Sequence, residues 1–276
     1  MIKYVNNDLA YREHPHSDDT ANHGLVDIHC HCLPMLDDGP ASVAESIALC
    51  NKLSDDGIAT VVATPHQLGR YTGRNHPELI RKTAEKMNEQ LENSRQPLKI
   101  LPGAEVRLDE RICRFLANDK ILTLGDNGKH ILLELPQEIF INIEPLFAEL
   151  ASLGIQTVIA HAERITALTT HPGILRRWAE KSVSLQITAS SLIGKFGRDI
   201  ERTSWDLFFS GLVALVASDA HDVELRAPCM RKAFDCIKHY VGEECARRVC
   251  IENPLRIISG MKIEPVGAYD RLEAKR

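Results

Sequence analysis

The chain has 276 residues, 44% hydrophobic and 26% charged, with 33 Lys and Arg against 38 Asp and Glu for a net charge of -5. That apolar share is enough for a sizeable core and excludes a disordered chain. The acidic balance lacks the basic footprint of a nucleic-acid binder, so nucleic acid is set aside as a partner. No run of about 18 consecutive apolar residues occurs and no basic segment leads into an apolar one, so membrane insertion is not expected and the cytoplasm is the expected location.

Residues 1–24 carry His14, His16, Asp18, Asp19 and His23 with little apolar patterning, and read as a polar extension. From residue 25 to about 262, short β-prone runs alternate with longer helical patterns, the signature of βαβ units on a parallel sheet. Seven strands are predicted, over 25–29, 60–64, 99–103, 131–135, 157–160, 184–188 and 212–217. Their number and the chain length suit one α/β domain of distorted seven-stranded TIM-like barrel type, for which about 250 residues is usual.

Between the first two strands, Ser42 with Glu45 three residues on forms a capping box that opens a helix ending near Asp56-Gly57. Further helices are predicted over 78–91, 144–153, 172–181, 199–210, 225–240 and 243–250. Asn253-Pro254 reads as a turn, and 263–276 as a polar tail. The eight cysteines lack the dense spacing of a disulfide scaffold and read as reduced thiols.

The strand ends carry the chemistry. Nearly every predicted strand is followed at once by a metal-type side chain: His29 and His31, His66, Glu105, Glu134, His161, and Asp219 with His221. In a parallel barrel all C-terminal strand ends meet at one face, so these residues share one pocket. His29 and His31 point to one side of an extended segment and Cys30 and Cys32 to the other, where the thiols read as packing residues. The turn Asp37-Asp38-Gly39-Pro40 offers a ligand or a helix cap from either carboxylate. Imidazole with carboxylate suits manganese, iron or zinc.

These residues, in order, resemble the PHP-type protein-tyrosine phosphatases of bacterial capsule and exopolysaccharide clusters. The likeness runs through His29-Cys30-His31, Asp37-Asp38-Gly39-Pro40, Thr64-Pro65-His66, Gly103-Ala104-Glu105, Leu133-Glu134-Leu135-Pro136, His161-Ala162-Glu163-Arg164, Gly194-Lys195-Phe196-Gly197 and Ser218-Asp219-Ala220-His221. It implies a PHP fold and two to three divalent ions, manganese first. One ion would take His29, His31, Glu105 and Asp219, a second Asp38, His66 and His221, and a third Glu105, Glu134 and His161. It further assigns Arg164 and Arg226 to the phosphoryl group, names a bacterial tyrosine autokinase as the phosphotyrosine partner, and brings homo-oligomers with it. The flanking cysteines and the longer N-terminal extension depart from the family pattern.

Three other readings stand beside this one. The site also suits a phosphatase of a small metabolite such as histidinol phosphate, or a phosphodiesterase. A non-catalytic metal-binding partner of polysaccharide machinery is the reading from another class, opposed by the intact ligand set. Cys250 to Arg256 meets the bare C-x5-R spacing of cysteine-dependent phosphatases, but Glu252 and Pro254 spoil the phosphate-facing backbone such a loop needs.

Overall fold

The computed structural model describes residues 24–268. The His-rich stretch expected to form the extension, 1–23, and the end of the expected tail, 269–276, lie outside the described residues. Strands β1 (Leu25–Cys30), β2 (Ile58–Ala63) and β4 (Lys99–Pro102) form one parallel sheet in the order β1-β2-β4. A second parallel sheet runs β3-β5-β6-β7-β8-β9, from β3 (His66–Gln67) and β5 (Glu105–Arg107) through β6 (His130–Glu134), β7 (Gln156–Ile159) and β8 (Ser184–Thr188) to β9 (Val213–Ala217).

The predicted segments are all strands, but the expected closed barrel of seven is not what the ladders form. Among the described residues the hydrogen-bonded strands make two open sheets, because the second and third tracks each break in two. Pro65, between β2 and β3, has no N–H to carry the ladder. Gly103, between β4 and β5, sits where a Cβ would lie 2.6 Å from Val62 Cγ1, so the two tracks yield at the same level. Among the described residues no continuous ladder pairs the first strand with the last; a single parallel bridge, between Cys30 and Ala220, and hydrogen bonds from Ser218 to Asp27 and from Asp219 to His29 join them.

Helices α1 (Val43–Asp55), α2 (Pro77–Asn93), α3 (Ile112–Ala117), α4 (Glu144–Ser152), α5 (Thr166–Thr169), α6 (Pro172–Glu180), α7 (Ala189–Leu192) and α8 (Arg198–Phe209) connect successive strands. The capping box forms as read: the Glu45 N–H donates to Ser42 Oγ, and the Glu45 carboxylate takes the Ala41 N–H. Ile80, Ala84, Met87 and Leu91 bury one stripe of α2, at the spacing of a single helix face. Strand residues feed two cores: Val26, Ile28, Leu132, Val158 and Leu215 fill one between the sheets, while a larger cluster lies under the helices and includes Cys30, Cys32 and Cys50.

The C-terminal helices depart from expectation in two places. The helix expected from 225 begins only at Met230 (α9, Met230–Tyr240), because Asp222 Oδ1 captures the N–H groups of Glu224, Leu225 and Arg226 in a tight turn and Pro228 follows. Asp56, from the far end of α1, caps α9 by accepting the Met230 and Arg231 N–H groups. Beyond it, α10 (Glu243–Arg247) runs through a π-helical stretch, Arg248–Glu252, into α11 (Asn253–Ile258), so Asn253-Pro254 lies within a helix and not a turn. Pro254 comes directly after that π-helical stretch, where the regular helical hydrogen-bond ladder is already interrupted, so its missing N–H is accommodated. The expected tail also packs where it is described: Val266 is buried, and Glu264 pairs with Arg248 and Arg256.

Candidate metal centre

All nine predicted ligands come together at the C-terminal ends of the strands. Glu105, at the start of β5, is their hub: Oε2 lies 3.5 Å from both His29 Nε2 and His31 Nε2 and 2.9 Å from His66 Nδ1, while Oε1 meets His161 Nε2 at 2.8 Å. Asp219 Oδ1 stands 3.4 Å from His29 Nε2. Asp38 Oδ1 stands 3.3 Å from His66 Nε2 and 3.6 Å from His221 Nε2. Three groups bring their ligand atoms within 4.8 Å of one another: His31, Asp38, His66 and His221; His29, His31 and Asp219; His66, Glu105 and Glu134. These overlap the sets implied by resemblance, with His31 and His66 each shared between two groups and His161 held on Glu105. His161 and Asp219 take left-handed backbone conformations (φ 34° and 52°) rare for residues with side chains.

A layer of partners behind the cluster fixes which imidazole nitrogen faces it. His31 donates Nδ1–H to Asp37 (2.6 Å), His29 donates Nδ1–H to Gln186 Oε1 (3.0 Å), and His221 donates Nδ1–H to the Asp219 carbonyl (2.9 Å). In the neutral ring each then keeps the Nε2 lone pair on the side of the cluster, the tautomer a metal ligand needs. The two carboxylates of the acidic turn thus divide their work. Asp37 orients His31 and also accepts the His66 and Gly39 N–H groups, whereas Asp38 faces the cluster. Gly39 is required there, since a Cβ would lie 2.3 Å from the His31 carbonyl oxygen.

The charges are mutually dependent. Burial alone would neutralise His29 and His31, yet Glu105 and Asp219 beside the first, and Asp37 beside the second, hold both above the usual imidazole value. Burial likewise works against charge on Glu105 and Asp219, and the surrounding histidines with Arg164 keep both carboxylates far below their usual range. His221 is pushed down to about 4 by burial and by His31. Its Nε2 is buried without a hydrogen-bond partner, which is costly for a nitrogen lone pair in an acidic cluster unless a cation occupies the space before it. The donor set therefore fits divalent metal.

Above the cluster lies an open cleft of about 460 Å³. Arg164 and Arg226, the predicted phosphoryl ligands, both line it and both pair with Asp219, at 2.6 and 3.2 Å. Phe196 of the Gly-Lys-Phe-Gly segment lies under the Arg164 guanidinium at 5.5 Å. Glu163, buried next to Arg164, accepts hydrogen bonds from Thr188 N–H and Ser191 Oγ–H and so ties the Arg164 turn to the end of β8.

A family model for capsular polysaccharide synthesis, CpsB/CapC, matches residues 25–259. The chain belongs to the CpsB/CapC family. Tyrosine-protein phosphatase YwqE of Bacillus subtilis is 37% identical over 222 residues, 80% of this chain and 86% of that protein. Tyrosine-protein phosphatase CpsB of Streptococcus pneumoniae is 29% identical over 241 residues, 85% of this chain and 98% of that one. A crystal structure from work on YwqE and CpsB, described as unique metal-dependent tyrosine phosphatases, superposes with a TM-score of 0.83 at 34% identity, covering 89% of this chain and all of that one. An organophosphorus hydrolase variant from Deinococcus radiodurans shares the fold alone, with a TM-score of 0.53 at 15% identity over 87% of this chain and 93% of that one.

Within this CpsB/CapC chain the C-x5-R segment is not a site. Cys250 is fully buried in helix, burial pushes its thiol well above the ordinary value, and Arg256 is paired with Glu264. Two residues were not singled out from sequence: Gln186, buried behind the cluster, which orients His29, and Arg107, which lines the cleft and pairs with Glu134 at 2.7 Å. Gln186 precedes no strand end and matches no ligand type. Arg107 follows Glu105 at the period-two spacing that puts both on one face of β5, and that signal was available.

Proposed function

We propose that this chain is a metal-dependent protein-tyrosine phosphatase acting on a phosphotyrosine protein, a bacterial tyrosine kinase of capsule or exopolysaccharide synthesis. The observation that carries the reading is the cluster of eight histidine and carboxylate side chains, with His161 held on Glu105, under a cleft lined by Arg164 and Arg226. His29, His31, Asp38, His66, Glu105, Glu134, His161, Asp219 and His221 would hold two or three divalent ions, with manganese preferred over iron and zinc. When bound, such ions neutralise phosphoryl oxygens and make water a nucleophile near neutral pH. Arg164 and Arg226 present planar guanidinium forks suited to bidentate contact with the equatorial phosphoryl oxygens. Asp37 and Gln186 keep His31 and His29 in the ligand tautomer. A tyrosine phenolate, with a pKa near 10, leaves with less protonation than an alkoxide, so no general acid is assigned. The two sheets are read as one interrupted seven-track PHP barrel. No helix among the described residues is long and apolar enough to cross a membrane, and none of the eight cysteines, all described, is in a disulfide; the cytoplasm is the proposed compartment.

The test is phosphate release from a phosphotyrosine peptide, a phosphoserine peptide and histidinol phosphate, with manganese and with chelator, and His161→Ala as control. Selective, metal-dependent release from phosphotyrosine that the variant loses is the expected result. Preference for histidinol phosphate would move the chain to metabolite chemistry, and silence on all three would leave a metal-binding partner.

A further inference from the structure

The cleft holds more cation than the two arginines so far assigned. Arg70 lines it from the short turn Gly69–Tyr71, with Nη2 3.2 Å from Asp38 Oδ2, the same oxygen that Arg226 Nη1 approaches at 3.6 Å. Two guanidinium groups distant in sequence thus converge on one anionic oxygen, the arrangement that a phosphoryl oxygen calls for. We propose that Arg70 binds the phosphoryl group of the substrate and that Tyr71 is its positioning residue. The inference rests on the phosphatase reading above and adds a binding group to it.

Arg70 is exposed at the rim of the cleft, yet its guanidinium has fixed company. Its guanidinium lies over the Tyr71 ring at 4.8 Å, and that ring stacks on His66 with centroids 5.4 Å apart and planes at 15°. The turn that carries the pair is built at a cost: Leu68 has φ 70°, a left-handed conformation unfavourable for a branched side chain. Two buried amides keep it there. Gln67 donates to the Asn75 carbonyl and accepts the Leu122 N–H, while Asn75 donates to the His66 carbonyl. Four carboxylates, of Asp38, Glu105, Glu134 and Asp219, share the cleft lining with four arginines, 70, 107, 164 and 226. Asp38 meets Arg70 through Oδ2 and the histidines through Oδ1, so an ion held on Oδ1 would leave Arg70 in place at the rim, with its remaining donors open to the substrate.

The experiment uses the full chain loaded with manganese, and reads inorganic phosphate affinity by calorimetry, metal content, and KM and kcat for a phosphotyrosine peptide and for phenyl phosphate. Arg70→Ala is expected to weaken inorganic phosphate about tenfold and to raise KM for both substrates by the same factor, with kcat changed less than about threefold. Arg70→Lys recovers part of this, lacking the planar fork; Tyr71→Phe behaves as wild type and Tyr71→Ala shifts phosphate affinity in the direction of Arg70→Ala. Unchanged phosphate affinity in Arg70→Ala, a KM rise confined to the peptide, or loss of metal would overturn the role of Arg70. Unchanged phosphate affinity in Tyr71→Ala would overturn that of Tyr71. If the wild type turns over no phosphotyrosine peptide, the phosphatase reading fails, while the phosphate titration still decides Arg70.

Discussion

Strand β6 carries a buried histidine at one end and a cleft carboxylate at the other, and the two ends of the molecule treat charge in opposite ways. At the N-terminal end, His130 is buried with a single side-chain partner, Gln156 at 3.2 Å, and burial pushes it down to about 4, so it stays neutral. At the C-terminal end, His66 is also pushed down by burial, but Asp38 and Glu105 outweigh that and raise it to about 9. Burial alone does not decide the charge of a histidine here; company does.

The comparison breaks most completely if its hub is removed. Glu105→Gln should lower phosphotyrosine hydrolysis roughly a thousandfold, the several kcal/mol expected of a metal Lewis acid, and reduce bound metal measured by elemental analysis. Near-normal metal content and activity would show that the carboxylate is not shared. Asp37→Asn acts one layer back: manganese affinity should fall about 10- to 100-fold in a chelator competition, with kcat at saturating metal much less affected.

The two ends should also answer acid with opposite sign in chelated protein. His130 has a lowered folded pKa, so the unfolded chain binds the extra proton, and stability is lost as pH falls from 6.5 towards about 4. His66 has a raised one, so its contribution is complete below 6.5 and is lost as pH rises through about 9. Urea unfolding at pH 7.5 and pH 5 should show His130→Asn sparing ~2 kcal/mol of the change that the wild type suffers. An equal pH response in both proteins would mean that His130 is solvated after all. The smallest effect is expected from Cys250→Ser, whose kcat/KM should stay within about twofold of wild type, since the buried thiol is remote from the cleft chemistry.

Most of the candidate ligand set was legible because its members stand at or just after the ends of apolar runs, and strand periodicity needs no tertiary information to be read. His29, His66, Glu105, His161 and Asp219 were located in this way, and the five crossover helices read from sequence fell within a residue or two of their observed ends, while the short α3, α5 and α7 were not read. What was not legible depends on distant partners. Which of Asp37 and Asp38 faces the histidine cluster is decided by where His31 and His66 lie, and the selection of Gln186 by the position of His29. The late start of α9 follows from Asp222 and Pro228 competing with helix, a local signal outweighed in the reading by apolar spacing. The break after β2 has a local signal in Pro65, whereas the break after β4 lies where Gly103 comes close to Val62, a proximity that neither segment announces alone.

The join between the first strand and the last has a consequence for how the protein is made. Asp27 accepts the Ser218 N–H and hydroxyl across 191 residues, His31 N–H donates to the Ala220 carbonyl, and the Asp219 N–H to the His29 carbonyl. During synthesis β1 leaves the ribosome early and waits with that edge unpaired until residue 220 emerges, a loop closure of high entropic cost. The histidine of β1 and the aspartate after β9 therefore meet only once the first and last strands have joined, so the cluster cannot assemble before that long-range closure.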